Sequence, residues 1–114
     1  MRGFGLLTLA WVLALSASAE GEARVRGELV WNSERQTLRP CGSEAVYWVR
    51  VLASNPHFSL SQRVDAIFEE QPGSPVLAEL DGTLSPVTSM GPKYEVDRAL
   101  IVSRIRSVSA GTCE

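Results

Sequence analysis

The 114-residue chain has few of the side chains that carry catalysis or bind metals: one histidine, two cysteines and two methionines. Nucleophilic catalysis needs a base beside an activated serine or cysteine, and copper or zinc sites need clustered imidazole or sulfur ligands. His57 stands alone between Pro56 and Phe58, so we interpret it as a loop or capping residue at the entrance to a helix. The sequence predicts no enzyme, no metal site and no cofactor.

Long apolar runs are also lacking. The longest, residues 6–15, falls well short of the ~20 residues that cross a bilayer. It follows Arg2 and leads to a small-x-small site at positions 17–19, the pattern of a secretory signal. Cleavage is expected after Ala19, and Glu20 stands where a lipid-bearing cysteine would be. We therefore predict a periplasmic or secreted protein without stable membrane insertion.

Removal of the signal, residues 1–19, leaves residues 20–114, which are predicted to form one small domain. This length is near the lower end of what a single core stabilises unaided. Export places Cys41 and Cys113 where thiols are oxidised, so a structural disulfide is expected, with a redox-sensing disulfide as the alternative. The formal net charge of the chain is −2, and nucleic acid and anionic membrane are not predicted as partners.

Residue patterns predict five strands, at residues 23–31, 37–39, 45–53, 76–84 and 99–108. The third is apolar on both faces and is expected to lie centrally. Gly27, inside the first strand, suggests a bulge or bend that lets one long strand serve two sides of a barrel. Residues Ser85 to Tyr94 contain two prolines and a glycine and are predicted to form an irregular loop.

One helix is predicted between the third and fourth strands. Ser59 is its expected N-cap, with Gln62 as the reciprocal partner, and Gln71 to Gly73 ends it. The stripe expected to pack on the barrel is Leu60, Val64, Ile67 and Phe68. The opposite, solvated side carries Arg63, Asp65, Glu69 and Glu70, whose carboxylates are not interpreted as an acid–base pair.

A helix between the third and fourth of five strands is the arrangement of the OB-fold, a small, partly open barrel whose open end the helix plugs. The predicted fold class is therefore mainly β, a five-stranded OB-fold-like barrel with one helix. Closure of the barrel would bring the end of the last strand near the turn after the second. Cys113 would then lie close to Cys41.

Four segments stand in an order shared with a known family. They are residues 38–43 (Leu-Arg-Pro-Cys-Gly-Ser), 45–49 (Ala-Val-Tyr-Trp-Val), 75–84 (Pro-Val-Leu-Ala-Glu-Leu-Asp-Gly-Thr-Leu), and 99–105 (Ala-Leu-Ile-Val-Ser-Arg-Ile) with 111–113 (Gly-Thr-Cys). Together they resemble the carboxy-terminal OB domain of the NlpE lipoproteins of envelope stress and copper sensing.

This resemblance implies that Cys41 and Cys113 correspond to the family's carboxy-terminal disulfide, whose formation reflects oxidative folding in the periplasm. The chain lacks two features of the family, the lipid-bearing cysteine and the amino-terminal barrel with its CxxC motif. Only the OB module, with an expected link to envelope stress, is therefore carried over.

Arginines and tryptophans recur on the predicted strands. Side chains of these types on one barrel face would form the basic and aromatic surface with which OB-folds bind ligands. The candidates are Arg24, Arg26, Trp31, Trp48, Arg50, Arg104 and Arg106. The alternatives are that the arginine stems cover strand edges with their heads in water, and that Trp48 packs under the helix or in the barrel.

These features predict an exported binding or interaction module, monomeric, with another envelope protein as its partner. The alternative is a small secreted inhibitor of an envelope or cell-wall enzyme. Such an inhibitor would block its target with the loop from Ser85 to Tyr94.

Overall fold

A computed structural model describes residues 21–52 and 54–113, and the side chains of residues 54–58 are not described. The predicted signal segment and its cleavage site lie outside the described residues. The elements are β1 (Gly21–Trp31), β2 (Gln36–Pro40), β3 (Tyr47–Arg50), α1 (Ser54–Glu70), β4 (Val76–Ser85) and β5 (Arg98–Ala110). In the described part of the chain, no helix has the length and apolar character needed to span a bilayer.

The five strands form a closed barrel in the order β1-β2-β3-β5-β4. β4 returns to pair with β1, and every pair is antiparallel except β3 with β5. This order, with α1 between β3 and β4, is that of the OB-fold-like barrel predicted from the sequence.

β1 closes the barrel by pairing with two strands. Its residues 27–29 pair with β2 on one side and with β4 on the other. A Cβ atom at Gly27 would overlap the carbonyl oxygen of Arg39. Glycine is therefore required where the two ladders meet. β1 serves two sides of the barrel as predicted, but neither ladder shifts register at Gly27, so the suggested bulge is absent.

Two register shifts bend the ladder between β4 and β5. They lie between Glu79 and Leu80 and between Asp81 and Gly82. Each leaves one extra residue on β5, Arg106 at the first shift and Ser103 at the second. An extra residue bends the strand and increases its local twist, which helps a sheet of only five strands to close.

The core is aliphatic and is shared by the strands and the helix. The largest fully buried side chains are Leu38, Leu60, Leu80, Leu100 and Val64. Leu60 and Val64 lie one turn apart on α1, so the helix packs with the face that the sequence predicted. Ile67 is partly buried against this core.

Two details of the predicted helix are wrong. α1 begins at Ser54 instead of Ser59, and Pro56 is tolerated there because a first turn does not need its N–H. His57 therefore lies within the helix and not at its entrance. Phe68 is 39% exposed, because it lies about 80° around the helix from Leu60, at the edge of the packed stripe.

β3 is shorter than the predicted strand at residues 45–53. Before it, Val46 pairs with Asp97: its N–H donates to the Asp97 carboxylate at 2.7 Å, and its carbonyl accepts the Asp97 N–H at 2.8 Å. The ladder between β3 and β2 has two pairs, Thr37 with Trp48 and Leu38 with Tyr47. The apolar run favours extension over nine positions, but pairing partners exist for only a few of them.

Candidate functional site

A pocket of about 460 Å³ opens where β2 and β3 separate. Its walls are residues 31–33 and 36 of the β1–β2 hairpin, residues 48–52 at the end of β3, and Ser61 and Asp65 of α1. We call it the wedge pocket. It lies at one edge of the β2–β3 region with which OB-folds commonly bind ligands.

Trp48 reaches the wedge pocket because side chains alternate along β3. Val49 points into the core, and Trp48 and Arg50 point outward. The Arg50 guanidinium lies 4.8 Å from the centre of the Trp48 ring, a cation–π contact. Trp48 is partly exposed on the outer face of β3. The interpretation that it packs inside the barrel is therefore wrong.

The hairpin wall of the pocket is fixed by hydrogen bonds. The Trp31 indole N–H donates to the Ser61 hydroxyl at 3.0 Å, which ties the end of β1 to α1. In the turn, the Asn32 side-chain oxygen accepts the N–H groups of Glu34 and Arg35, each at 2.8 Å. The wedge pocket is therefore preformed on this side.

The β4–β5 loop, residues 86–97, covers the outer face of β2 and β3. The Tyr94 hydroxyl accepts the Gln36 N–H at 3.0 Å, and the Arg35 guanidinium lies 4.3 Å from the centre of the Tyr94 ring. Thr37 is only 5% exposed, although it belongs to the outward row with Trp48. The predicted irregular loop is thus present, and the structure adds that it is attached to the barrel.

Away from the wedge pocket, a group of charged side chains surrounds Asp81 on the outer face of β4. Arg24 and Arg106 bind its two carboxylate oxygens at 3.1 and 2.7 Å, and the Ser103 hydroxyl donates to its carbonyl at 3.3 Å. We call these four residues the Asp81 cluster. Ser103 and Arg106 are the two extra residues of β5, so the bulges that bend the barrel also direct these side chains to Asp81.

The Asp81 cluster changes the acidity of its carboxylic acid. Burial raises the pKa of Asp81, but hydrogen bonds and positive charge from Arg106 and Arg24 outweigh it and hold that pKa below its ordinary value of 3.8. Asp81 is therefore ionised at neutral pH and neutralises part of the charge of both arginines.

The seven residues predicted for one basic and aromatic surface are distributed over separate places. Trp31, Trp48 and Arg50 line the wedge pocket, Arg24, Arg104 and Arg106 line a pocket of about 520 Å³ at the Asp81 cluster, and Arg26 is exposed opposite Glu79. The two pockets share no lining residue. The structure therefore brings together two groups of three.

Sequence reasoning missed the importance of Asp81, Gln36 and Tyr94. The alternation of β4 did place Asp81 on the outward face, but no local signal identified its arginine partners. Tyr94 is the single aromatic residue of the loop at residues 86–97, which is the one signal that could have indicated an anchored position.

The predicted disulfide joins Cys41 and Cys113, with 5.4 Å between their Cα atoms. Glu28 supports it from β1: its carboxylate accepts the Cys113 N–H at 3.3 Å and pairs with Arg39 at 3.1 Å. Both cysteines are partly exposed. The disulfide joins the segment after β5 to the turn after β2. This agrees with the prediction that closure of the barrel brings the two cysteines together.

No family model, curated protein or solved structure matches the chain. Among the described residues, no three or more His, Cys, Asp or Glu side chains form a group suited to a metal ion. What is established is the class: an OB-fold-like barrel closed by one disulfide, with a preformed pocket beside β3.

Proposed function

We propose that this chain is an exported, periplasmic binding module whose wedge pocket contacts another protein of the cell envelope. The observation that carries the proposal is the partly exposed Trp48, held under Arg50 at an open pocket. Tryptophan and arginine are the residue types that most often dominate protein-binding energy. Leu52, 67% exposed on the same pocket, adds apolar surface for a partner to cover.

The rigidity of the pocket supports this proposal. A site that is already ordered loses less conformational freedom when it binds, so more of its contact energy appears as affinity. The Trp31–Ser61 bond and the Asn32 turn supply that order. The pocket also carries one positive and one negative side chain, Arg50 and Asp65, which suits a partner of mixed charge.

The experiment is site-specific photo-crosslinking in intact envelopes. A photoreactive residue at Leu52 is expected to capture one defined partner, and the same residue at Glu69, on the solvated side of α1, is the matched control. Trp48→Ala is expected to abolish the Leu52 product, and Arg104→Ala to leave it. Equal products at both positions, or a product indifferent to Trp48, would reject the wedge pocket as the interface.

The resemblance to the NlpE domain leads us to propose a link to envelope stress, with a structural disulfide. The double variant Cys41→Ser, Cys113→Ser separates structure from sensing. We expect it to lower the melting temperature and to leave the response of a stress reporter unchanged, once expression is matched. A reporter that responds to loss of the bridge at unchanged protein level would favour a redox sensor.

A second candidate is a secreted inhibitor of a cell-wall enzyme, because the β4–β5 loop carries an exposed side chain at a braced tip. Met90 is 86% exposed, and the N–H groups of Met90 and Gly91 both donate to Thr88. Inhibition of a cell-wall hydrolase that is lost in Met90→Asp, and retained in Trp48→Ala, would favour this function over the first.

A further inference from the structure

The edge of β3 beside the wedge pocket ends its pairing early. The β2–β3 ladder stops at Thr37 with Trp48, but β3 continues to pair with β5 as far as Arg50 with Ile101. Beyond Trp48, the side of β3 that faces β2 has no ladder partner among the described residues.

The direction of the backbone groups on this edge follows from Val46. Both its N–H and its carbonyl bond to Asp97, on the β5 side. Because these directions alternate along an extended strand, Trp48 and Arg50 also turn their backbone groups to β5. Val49 turns its groups toward β2, on the side of the wedge pocket, and the same alternation carried one residue past the end of β3 turns those of Val51 the same way.

On the other side of the gap, the N–H of Gln36 on β2 already has a partner. Asn32 N–H donates to the Arg35 carbonyl, so the next pair, Trp31 with Gln36, is of the type that turns its backbone groups outward. Gln36 N–H accordingly meets the Tyr94 hydroxyl. Tyr94 thus takes the place of a β3 partner for the Gln36 N–H, and β3 has no ladder partner on this side beyond Trp48 in the part of the chain that the structure describes.

We propose that the wedge pocket binds an extended peptide segment of the partner protein, which adds to β3 as a short strand. An edge that offers N–H and carbonyl groups at alternate residues is the template for such strand addition. This proposal rests on the protein-binding function proposed above. It goes further, because it specifies the conformation of the bound segment and the atoms that hold it.

Charge gives the segment a second feature. The Arg50 guanidinium lies over Trp48 and forms no ion pair with a described residue. An acidic side chain on the peptide, beside the backbone bonds to Val49 and Val51, would form an ion pair with Arg50. The expected ligand is therefore an extended segment with an acidic residue, and its apolar side chains cover Trp48 and Leu52.

The test uses the protein recovered from the periplasm and a random peptide library displayed on phage. The selected peptide is then remade with single N-methyl groups, position by position, which removes one N–H donor at a time. Methylation at residues of one parity is expected to weaken binding about tenfold, the effect of one lost hydrogen bond. Methylation at the other parity is expected to have little effect.

A loss of affinity that does not alternate with the methylated position along the peptide would overturn strand addition. A library that yields no binding peptide, while N-acetylglucosamine oligomers do bind, would overturn it as well. The protein is unaltered in this comparison, so misfolding cannot imitate either result. Arg50→Glu should reduce affinity for the acidic peptide and restore it for a lysine-substituted one. If Leu52 crosslinks a partner but the methylation pattern fails, strand addition alone is wrong; if neither succeeds, the proposed function fails as well.

Discussion

The two sides of the barrel are built differently. On one side, β4 pairs with β1 from Val76 to Leu84 and with β5 along its whole length. On the other, β2 and β3 share two pairs, and the loop residue Tyr94 accepts the N–H of Gln36 on β2. We call these the closed side (β1, β4 and β5) and the open side (β2, β3 and residues 86–97).

The same difference appears in their charges. On the closed side, Arg24 and Arg106 bind Asp81, and Glu28 of β1 binds Arg39 of β2 at the boundary between the two sides. On the open side, Arg50 lies over an indole ring. The comparison teaches that long ladders close the barrel on one side, whereas the other side has a ladder of two pairs and a cation stacked on an aromatic ring.

The largest expected effect tests how the barrel is held closed. Cys41→Ser with Cys113→Ser should lower the free energy of unfolding by about 4 kcal/mol, because the bridge closes a 72-residue separation that is costly to order in the unfolded chain. Urea unfolding of oxidised and variant protein measures this. A loss near zero would mean that the ladders of the closed side suffice by themselves.

The next effect compares a core leucine of the closed side with an exposed leucine at the wedge pocket. Leu80→Ala should cost about 3 kcal/mol, since its side chain is fully buried in the closed side and its removal leaves a cavity. Leu52→Ala, at the wedge pocket, should change stability by less than about 0.5 kcal/mol. Similar losses in thermal unfolding for both variants would show that Leu52 is packed as firmly as a core side chain.

A smaller effect concerns the substitute partner of β2. Tyr94→Phe should cost about 1 kcal/mol, because it removes the acceptor of the Gln36 N–H and keeps the ring under Arg35. Hydrogen exchange should quicken at the Gln36 amide and stay unchanged at Leu80. Unchanged exchange at Gln36 would contradict the role assigned to the hydroxyl.

The smallest effect is expected at the Asp81 cluster, whose members are solvent-accessible and screened by salt. Asp81→Asn should destabilise the protein slightly at neutral pH. Because the folded-state pKa of Asp81 lies below 3.8, its stabilisation is present above that pH and is lost as the pH falls through the lowered pKa. Urea midpoints of wild type and variant should therefore converge in acid. A gap that widens in acid would contradict this assignment.

Much of the closed side was predictable, because its signals are local. Alternation along residues 76–84 predicted β4, and a glycine within an extended segment predicted that β1 serves two sides of the barrel. Leu60 and Val64, four residues apart, predicted the buried face of α1. Each of these signals is a periodicity or a backbone requirement that neighbouring residues reveal.

The open side was predicted less well, because its features depend on distant residues. Tyr94 and Gln36 are 58 positions apart in sequence, and Val46 and Asp97 are 51 apart. The apolar run at residues 45–53 indicated a long strand, but only pairing decides where a strand ends. The grouping of arginines into two pockets likewise depended on the register and on the two bulges.

The sequence by itself determined the number and order of the elements, the inward row of β4 and the pair of cysteines, since hydrophobic periodicity and composition act over a few residues. Only the tertiary structure decided where the β2–β3 ladder stops and which arginines Asp81 neutralises. These outcomes depend on how the barrel closes, and closure brings together residues that carry no local record of each other.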